Sequence, residues 1–248
     1  PMRRPTTAMS HETAQRTANV PIKELSANIQ HCLKEYRHLV GAINYMAVTL
    51  RFDISVALSL LAARMTDPRV IDAVQLLHLI TYLVATRDSR LEFKPRVASH
   101  PDYPRLEIYT DSSFADKLDD ERKSRTGVLV LLDGCPVYWK SKRQEQTAVS
   151  THEAELYALF TGTREAIHFR GLLKDLGFAQ PGPTPIYVDN RAVTFTANSE
   201  VVTSAHRHID VRYFRCRDHV RSKEISVEWV SGAVNPAHHF TKLLVMVM

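Results

Sequence analysis

The feature that most constrains this chain is a change of hydrophobic period on either side of a proline-rich stretch. Before Pro95, Pro101 and Pro104, apolar residues recur at three- and four-residue spacing. Ile29, Cys32, Leu33, Tyr36, Leu39, Val40, Ile43, Met46 and Ala47 form one such stripe, the signature of an amphipathic helix. A second helix is expected after Asp53 as N-cap, with Ile54, Ala57, Leu58, Leu61 and Met65 on one side. Thr66-Asp67-Pro68 starts a third, carrying Val70, Ala73, Val74, Leu77, Ile80 and Leu83. Beyond the prolines, short apolar runs alternate with helical ones. Leu106–Thr110, Gly127–Leu132 and Val137–Lys140 read as strands, the last two joined by the hairpin turn Asp133-Gly134. Ser150–Leu176 is a long helix closed by Gly177. Pro185–Val188 is a fourth strand, Arg207–Val220 a helix, Ile225–Val230 a fifth strand and Pro236–Leu243 a final helix capped by Asn235. Three strands, a helix, a strand, helices, a strand and a helix make a mixed α/β sheet.

The 248 residues, 44% hydrophobic and 24% charged, suit a packed fold and argue against wholesale disorder. No apolar run approaches the ~20 residues a membrane span needs, so no membrane association is expected. Cys32, Cys135 and Cys216 lie far apart, which excludes a disulfide framework and suits a reducing compartment. The chain opens at Pro1 without a basic-then-apolar leader, so no secretory signal is expected, and it reads as a piece of something longer. A net charge of +5 permits a polyanionic partner without requiring one. Lys and Arg concentrate in the second half, at Lys117–Arg125, Lys140–Arg143 and Arg207–Arg221.

Two strands end alike, in Ile108-Tyr109-Thr110-Asp111 and Ile186-Tyr187-Val188-Asp189. If they lie parallel and adjacent, both carboxylates emerge at one sheet edge, where open α/β sheets bind ligands. Each Asp alone could equally begin a turn. On the long helix, Ser150 and Glu153 fit a capping box, which gives Glu153 a structural role. Glu155 instead shares a face with Leu159, Gly162 and Ala166, where a carboxylate needs a partner or a metal. Asp111, Glu155 and Asp189 are hard oxygen donors suited to Mg²⁺. Two such ions about 4 Å apart stabilise both the attacking and the leaving oxygen of a phosphodiester displacement. Beside basic patches, that set points to a metal-dependent nuclease.

The ordered series Tyr109-Thr110-Asp111, Lys123-Ser124-Arg125-Thr126-Gly127, Trp139–Gln144, Ser150–Leu159, Tyr187-Val188-Asp189-Asn190, His208–Tyr213 and Asn235–Leu243 resembles the ribonuclease H domain of Ty1/copia-type retrotransposon polyproteins. Upstream, Tyr36–Gly41 and Leu50–Ile54 resemble the segment that joins the reverse transcriptase to it. The resemblance implies a ribonuclease H-like mixed five-stranded sheet with flanking helices, preceded by a small all-helical segment. It divides the chain into a loose N-terminal segment (1–28), a helical connection segment (29–93), a linker (94–104) and the ribonuclease H-like domain (105–244). It implies cleavage of the RNA strand of RNA–DNA hybrids with Mg²⁺, Mn²⁺ being an alternative. Asp111, Glu155 and Asp189 match the first three carboxylates of the family's metal set. The reverse transcriptase of the same polyprotein is the implied partner, and the implied setting is intracellular, in a cytoplasmic virus-like particle or the nucleus. No polymerase palm is read, so the chain is not expected to polymerise DNA by itself.

Two positions depart from the family. His238 stands where the fourth aspartate belongs, and Phe52 replaces a proline. Imidazole suits zinc or manganese better than magnesium, so weaker second-ion binding and lower activity with Mg²⁺ are expected. A catalytically decayed module that binds nucleic acid or supports a reverse transcriptase is the alternative. Lys140, Lys142, Arg143, Arg122, Lys123, Arg125, Arg207, Arg212, Arg215 and Arg221 are candidate phosphate contacts, with strong salt dependence expected. Two further constellations are weighed. His206, His208, Cys216 and His219 have zinc-like types at spacings of no standard finger. Cys135 with His152 suggests a thiol nucleophile, or simple packing.

Overall fold

A computed structural model describes residues 20–21, 29–93, 103–115, 122–199 and 211–242. Two compact units emerge, Pro1–Ala47 with Ala57–Ser89, and Val48–Val56 with Arg90–Met248. Helices α1 (Ile29–Thr49), α2 (Ser55–Ala62) and α3 (Val70–Ala85) supply the first unit's regular structure. Among the described side chains of α1, Tyr36, Val40, Ile43 and Ala47 are buried, three or four apart, while Leu39 and Met46 of the expected stripe are exposed. The Tyr36 hydroxyl donates to the Leu61 carbonyl at 2.9 Å, so its polar end is satisfied inside the helical core. Asp53 does not cap α2. It lies in a 3-10 turn, Phe52–Ile54, where its carboxylate takes two hydrogen bonds from Arg51 at 2.9 and 2.7 Å.

The second unit holds a five-stranded sheet: β1 (Leu106–Ser113), β2 (Arg125–Leu132), β3 (Cys135–Arg143), β4 (Thr184–Val188) and β5 (Ile225–Trp229). The order is β3-β2-β1-β4-β5, with β1, β2 and β3 antiparallel in sequence and β4 and β5 parallel to β1. Asp133 and Gly134 turn the β2–β3 hairpin with φ of 50° and 76°, the two positive values of a type I′ turn. Helices α4 (Thr151–Asp175), α5 (Arg191–Asn198) and α6 (Val211–Arg221) flank the sheet. This is the expected ribonuclease H-like mixed sheet with flanking helices, preceded by a helical segment.

One face of the sheet is an aliphatic core of Leu106, Ile108, Val128, Val130, Leu159, Ile186, Val188 and their neighbours. Gly162 lets α4 approach it, because a Cβ there would stand 2.4 Å from Thr110 Cγ2. The other face carries Leu129, Trp139 and Phe240, with Phe52, Leu91, Tyr109 and Leu131 against them. The Phe52 ring meets Trp139 edge-on at 5.7 Å and Phe240 at 6.2 Å.

Three local readings change. Helix α5 was not read from the sequence; Asn190 caps it, accepting from the Ala192 and Val193 N–H groups. The final helix is a shorter 3-10 turn, Pro236–Phe240, capped by Asn235 as expected. The helix expected over Arg207–Val220 runs Val211–Arg221, and Arg207 lies outside the described residues.

Candidate active site

The site grows from the repeated tetrapeptide. Ile108 pairs with Ile186 and Tyr109 with Tyr187 across parallel β1 and β4, and the two tyrosine rings stack at 4.7 Å. In-register pairing brings Asp111 and Asp189 out at the same sheet end. The turn bearing His238 is fixed over them by Asn235. Its amide donates to the Thr110 carbonyl at 2.9 Å, and its oxygen accepts from the Ala237 N–H at 3.0 Å. Gly127, opposite Asp111 on β2, admits this turn, since a Cβ would stand 2.8 Å from the Ala237 carbonyl.

Asp111, Asp189 and His238 each offer a ligating atom, and these atoms all lie within 4.8 Å of one another. Asp111 is 1% exposed. Its Oδ1 stands 2.9 Å from His238 Nδ1, off the line of a hydrogen bond, and its Oδ2 accepts from the Thr241 hydroxyl. His238 Nε2 lies 3.8 Å from Asp189 Oδ2 and 3.3 Å from Lys242 Nζ. The Trp229 indole N–H donates to the Asp189 carbonyl at 3.2 Å, and the Arg191 guanidinium sits 4.2 Å over that indole. Gly232 leaves the Asp189 carboxylate room, as a Cβ there would come within 3.0 Å of Oδ2.

Glu155 stands beside this trio rather than in it. Helix α4 starts at Ser150, whose hydroxyl accepts from the Glu153 N–H at 3.1 Å, while Glu153 reaches back to the Val149 N–H at 2.7 Å. With Glu153 so occupied, Glu155 turns inward and is 7% exposed. Its Oε1 accepts from the Ser112 hydroxyl at 2.8 Å and the Ser112 N–H at 3.3 Å, next to Asp111. Its Oε2 is buried and has no hydrogen-bond partner among the described residues. Burial first, then the charges of Asp111 and Asp189, push the Glu155 carboxyl up to about 8, against the pull of Ser112. Burial and Asp111 likewise raise Asp189, and His238 and Lys242 oppose them.

An orphaned buried carboxylate oxygen, mutual repulsion among three acids and a clustered Asp-Asp-His set suit a divalent cation. The oxygens fit Mg²⁺ and the imidazole fits Mn²⁺ or zinc better.

The basic residues divide. Lys140, Lys142 and Arg143 leave the edge strand β3 on a partly exposed surface. Arg125, expected among the phosphate contacts, is 1% exposed in this structure. The side chain of Arg212 and the whole of Arg207 lie outside the described residues. Of the zinc constellation, His206 and His208 lie outside the described residues; the Cys216 thiol is buried against the Thr163 hydroxyl, and His219 pairs with Glu224 at 2.6 Å. Cys135 is buried at the first position of β3, as the packing alternative has it. Sequence reasoning missed Thr241 and Asn235 as site-builders; the Asn-Pro pair and the Thr-Lys dipeptide were their only signals.

The strand order, with acids on β1, β4 and the first helix after β3, defines a ribonuclease H-like module. No protein-family model matches the chain. The Retrovirus-related Pol polyprotein from transposon TNT 1-94 of Nicotiana tabacum is 30% identical over 209 residues, 84% of this chain and 15% of that protein. The corresponding polyprotein from transposon RE2 of Arabidopsis thaliana is 32% identical over 210 residues, 85% of this chain and 14% of that protein. The Secreted RxLR effector protein 161 of Plasmopara viticola is 33% identical over 132 residues, 53% of this chain and 89% of that protein. Among solved structures, LC11-RNase H1, isolated from compost, superposes with a TM-score of 0.42 at 14% identity over 55% of this chain and 91% of its own. The chain belongs to the family of Ty1/copia-type retrotransposon Pol polyproteins. It spans about 15% of the length of the polyproteins it matches.

Proposed function

We propose that the chain is the ribonuclease H module of such a polyprotein, hydrolysing the RNA strand of RNA–DNA hybrids. What carries this is the convergence of Asp111, Asp189 and His238 at the end of β1 and β4, with the buried acid Glu155 beside them. Asp111, Glu155, Asp189 and His238 would hold Mg²⁺ or Mn²⁺. Two such ions, when bound, supply an activated water and stabilise the leaving 3′-oxygen. The chain's own part is positional. Ser112 orients Glu155, Thr241 and His238 orient Asp111, and Asn235 fixes the turn bearing His238. Lys140, Lys142 and Arg143 meet backbone phosphates, as do Arg207 and Arg212 on the sequence pattern. Residues 29–93 serve as the connection to a reverse transcriptase and 94–104 as the linker, with 105–244 as the cleaving domain. The setting is intracellular, in a virus-like particle or the nucleus; among the described residues no helix is long and apolar enough to cross a membrane.

A second reading, a module that binds nucleic acid without cleaving it, is favoured by one observation. Asp111 Oδ2 already accepts from the Thr241 hydroxyl, and His238 Nδ1 stands 2.9 Å from Oδ1, so protein groups crowd both oxygens. Cleavage of a labelled hybrid with Mg²⁺ and with Mn²⁺, set against Asp111→Asn, separates the two. Cation-dependent cleavage lost in the variant supports the enzyme, and no cleavage with either cation supports the binding module.

A further inference from the structure

We propose that the groove between edge strand β3 and helix α4 is a binding site for a single strand of nucleic acid, separate from the carboxylate centre. The inference rests on reading the chain as a nucleic-acid-processing module and adds a second site to it. The groove encloses about 240 Å³ and is lined by Lys140, Lys142 and Arg143 from one side and by Tyr157, Phe160 and Arg164 from the other.

Helix geometry keeps the two sites apart. At about 100° per residue, Tyr157 lies about 200° and Arg164 about 180° around α4 from Glu155. Residue 155 therefore faces β1 while the groove wall is on the opposite flank, so a strand in the groove uses the β3 cations without touching the carboxylates. A duplex, whose major groove alone is ~12 Å wide, is too broad for a cleft of this size; one nucleotide of a single strand is not.

The chemistry matches that occupant. Four cations surround two aromatic rings, the combination that tracks a phosphate backbone and stacks bases without regard to sequence. The anion competing at Lys142 is a weak rival. Lys142 pairs with Glu145 at 2.8 Å, but these side chains are 57% and 84% exposed, so a phosphate displaces the carboxylate at little cost. Lys140 stands 3.7 Å from Glu165, which is also held by the Tyr138 hydroxyl at 3.1 Å. The Tyr157 hydroxyl donates to Gln146, which holds the ring at the groove. The floor of the groove is fixed by Gln144. Gln144 is 7% exposed, its amide N–H groups donate to Thr126 Oγ1 and the Ala154 carbonyl at 3.0 Å each, and its Oε1 is buried with no donor among the described residues.

Fluorescence anisotropy with a labelled single-stranded 12-mer, on the full chain, tests this. Lys142→Ala/Arg164→Ala is expected to weaken binding at least tenfold and to reduce the salt slope by about 1.4, the share of two phosphate contacts. Tyr157→Ala is expected to weaken it about fivefold or more. Asp111→Asn should bind the strand within twofold of the parent while losing hybrid cleavage. If the parent binds the strand through these residues but cleaves nothing, the enzyme reading fails and the groove stands. Strand affinity unchanged in Lys142→Ala/Arg164→Ala, or competition by polyglutamate as effective as by unlabelled strand, overturns the groove. The three substituted side chains are at least partly exposed, and unchanged melting temperatures confirm that folding is not what is being read.

Discussion

Position 238 concentrates the chemistry of this chain. An aspartate there would add a hard oxygen and a negative charge; the histidine brings a nitrogen that contacts Asp111 and approaches Asp189. His238→Asp should therefore tighten Mg²⁺ binding about tenfold by calorimetry while doing less for Mn²⁺. Equal Mg²⁺ affinity in the two proteins would remove His238 from the cation site. Glu155 gives a second test without any ion. Its carboxyl is raised from 4.5 to about 8, so between those values the folded protein holds a proton the unfolded chain has released. Below the window both states are protonated and nothing is lost. Stability falls as pH rises through it, and above it the full cost of the buried charge remains. In chelator, Glu155→Gln should match the parent near pH 4 and exceed it near pH 9, by an amount on the order of a few kcal/mol at ~1.4 kcal/mol per unit. A difference independent of pH in thermal melts would show that Glu155 carries no such penalty.

At the scale of elements, α4 reaches the sheet only because Gly162 has no side chain. Thr110 Cγ2, the atom in the way, belongs to a stiff β-branched residue on a central strand. Gly162→Ala should cost ~1–3 kcal/mol in denaturant unfolding, whereas a neutral result would mean the helix and sheet separate freely. Which elements could be foreseen follows from what specifies them. The strands, the Asp133-Gly134 hairpin and the Ser150 cap rest on local period and turn chemistry and were legible. So was the pairing of Asp111 with Asp189, because an identical Ile-Tyr-x-Asp pattern at equal distance from two strand ends dictates in-register partners. Helix α5 was not, since eight residues with one short apolar stripe give too little period to read. Asp53 was misassigned as a cap because its partner, Arg51, is a local competitor invisible to period. Arg125 read as a surface cation because charge is normally solvated; its burial depends on tertiary packing. Thr241 and Asn235, some 125–130 residues from the strand they serve, carry no local mark of that contact.

Across the whole molecule, a sheet with one aliphatic and one aromatic face presents its acids at a single edge and basic residues along the outer strand β3. The family relationship covers 84–85% of the chain, so it reaches into both the helical unit and the sheet unit. What the fold is for turns on whether the acid cluster works. The most direct test is cleavage of an end-labelled RNA–DNA hybrid by the full chain, with Mg²⁺ or Mn²⁺ and then with chelator. Cation-dependent cutting of the RNA strand alone, at least ~100-fold slower in Asp111→Asn, is the predicted result. Cutting that persists undiminished in Asp111→Asn or in chelator would contradict it.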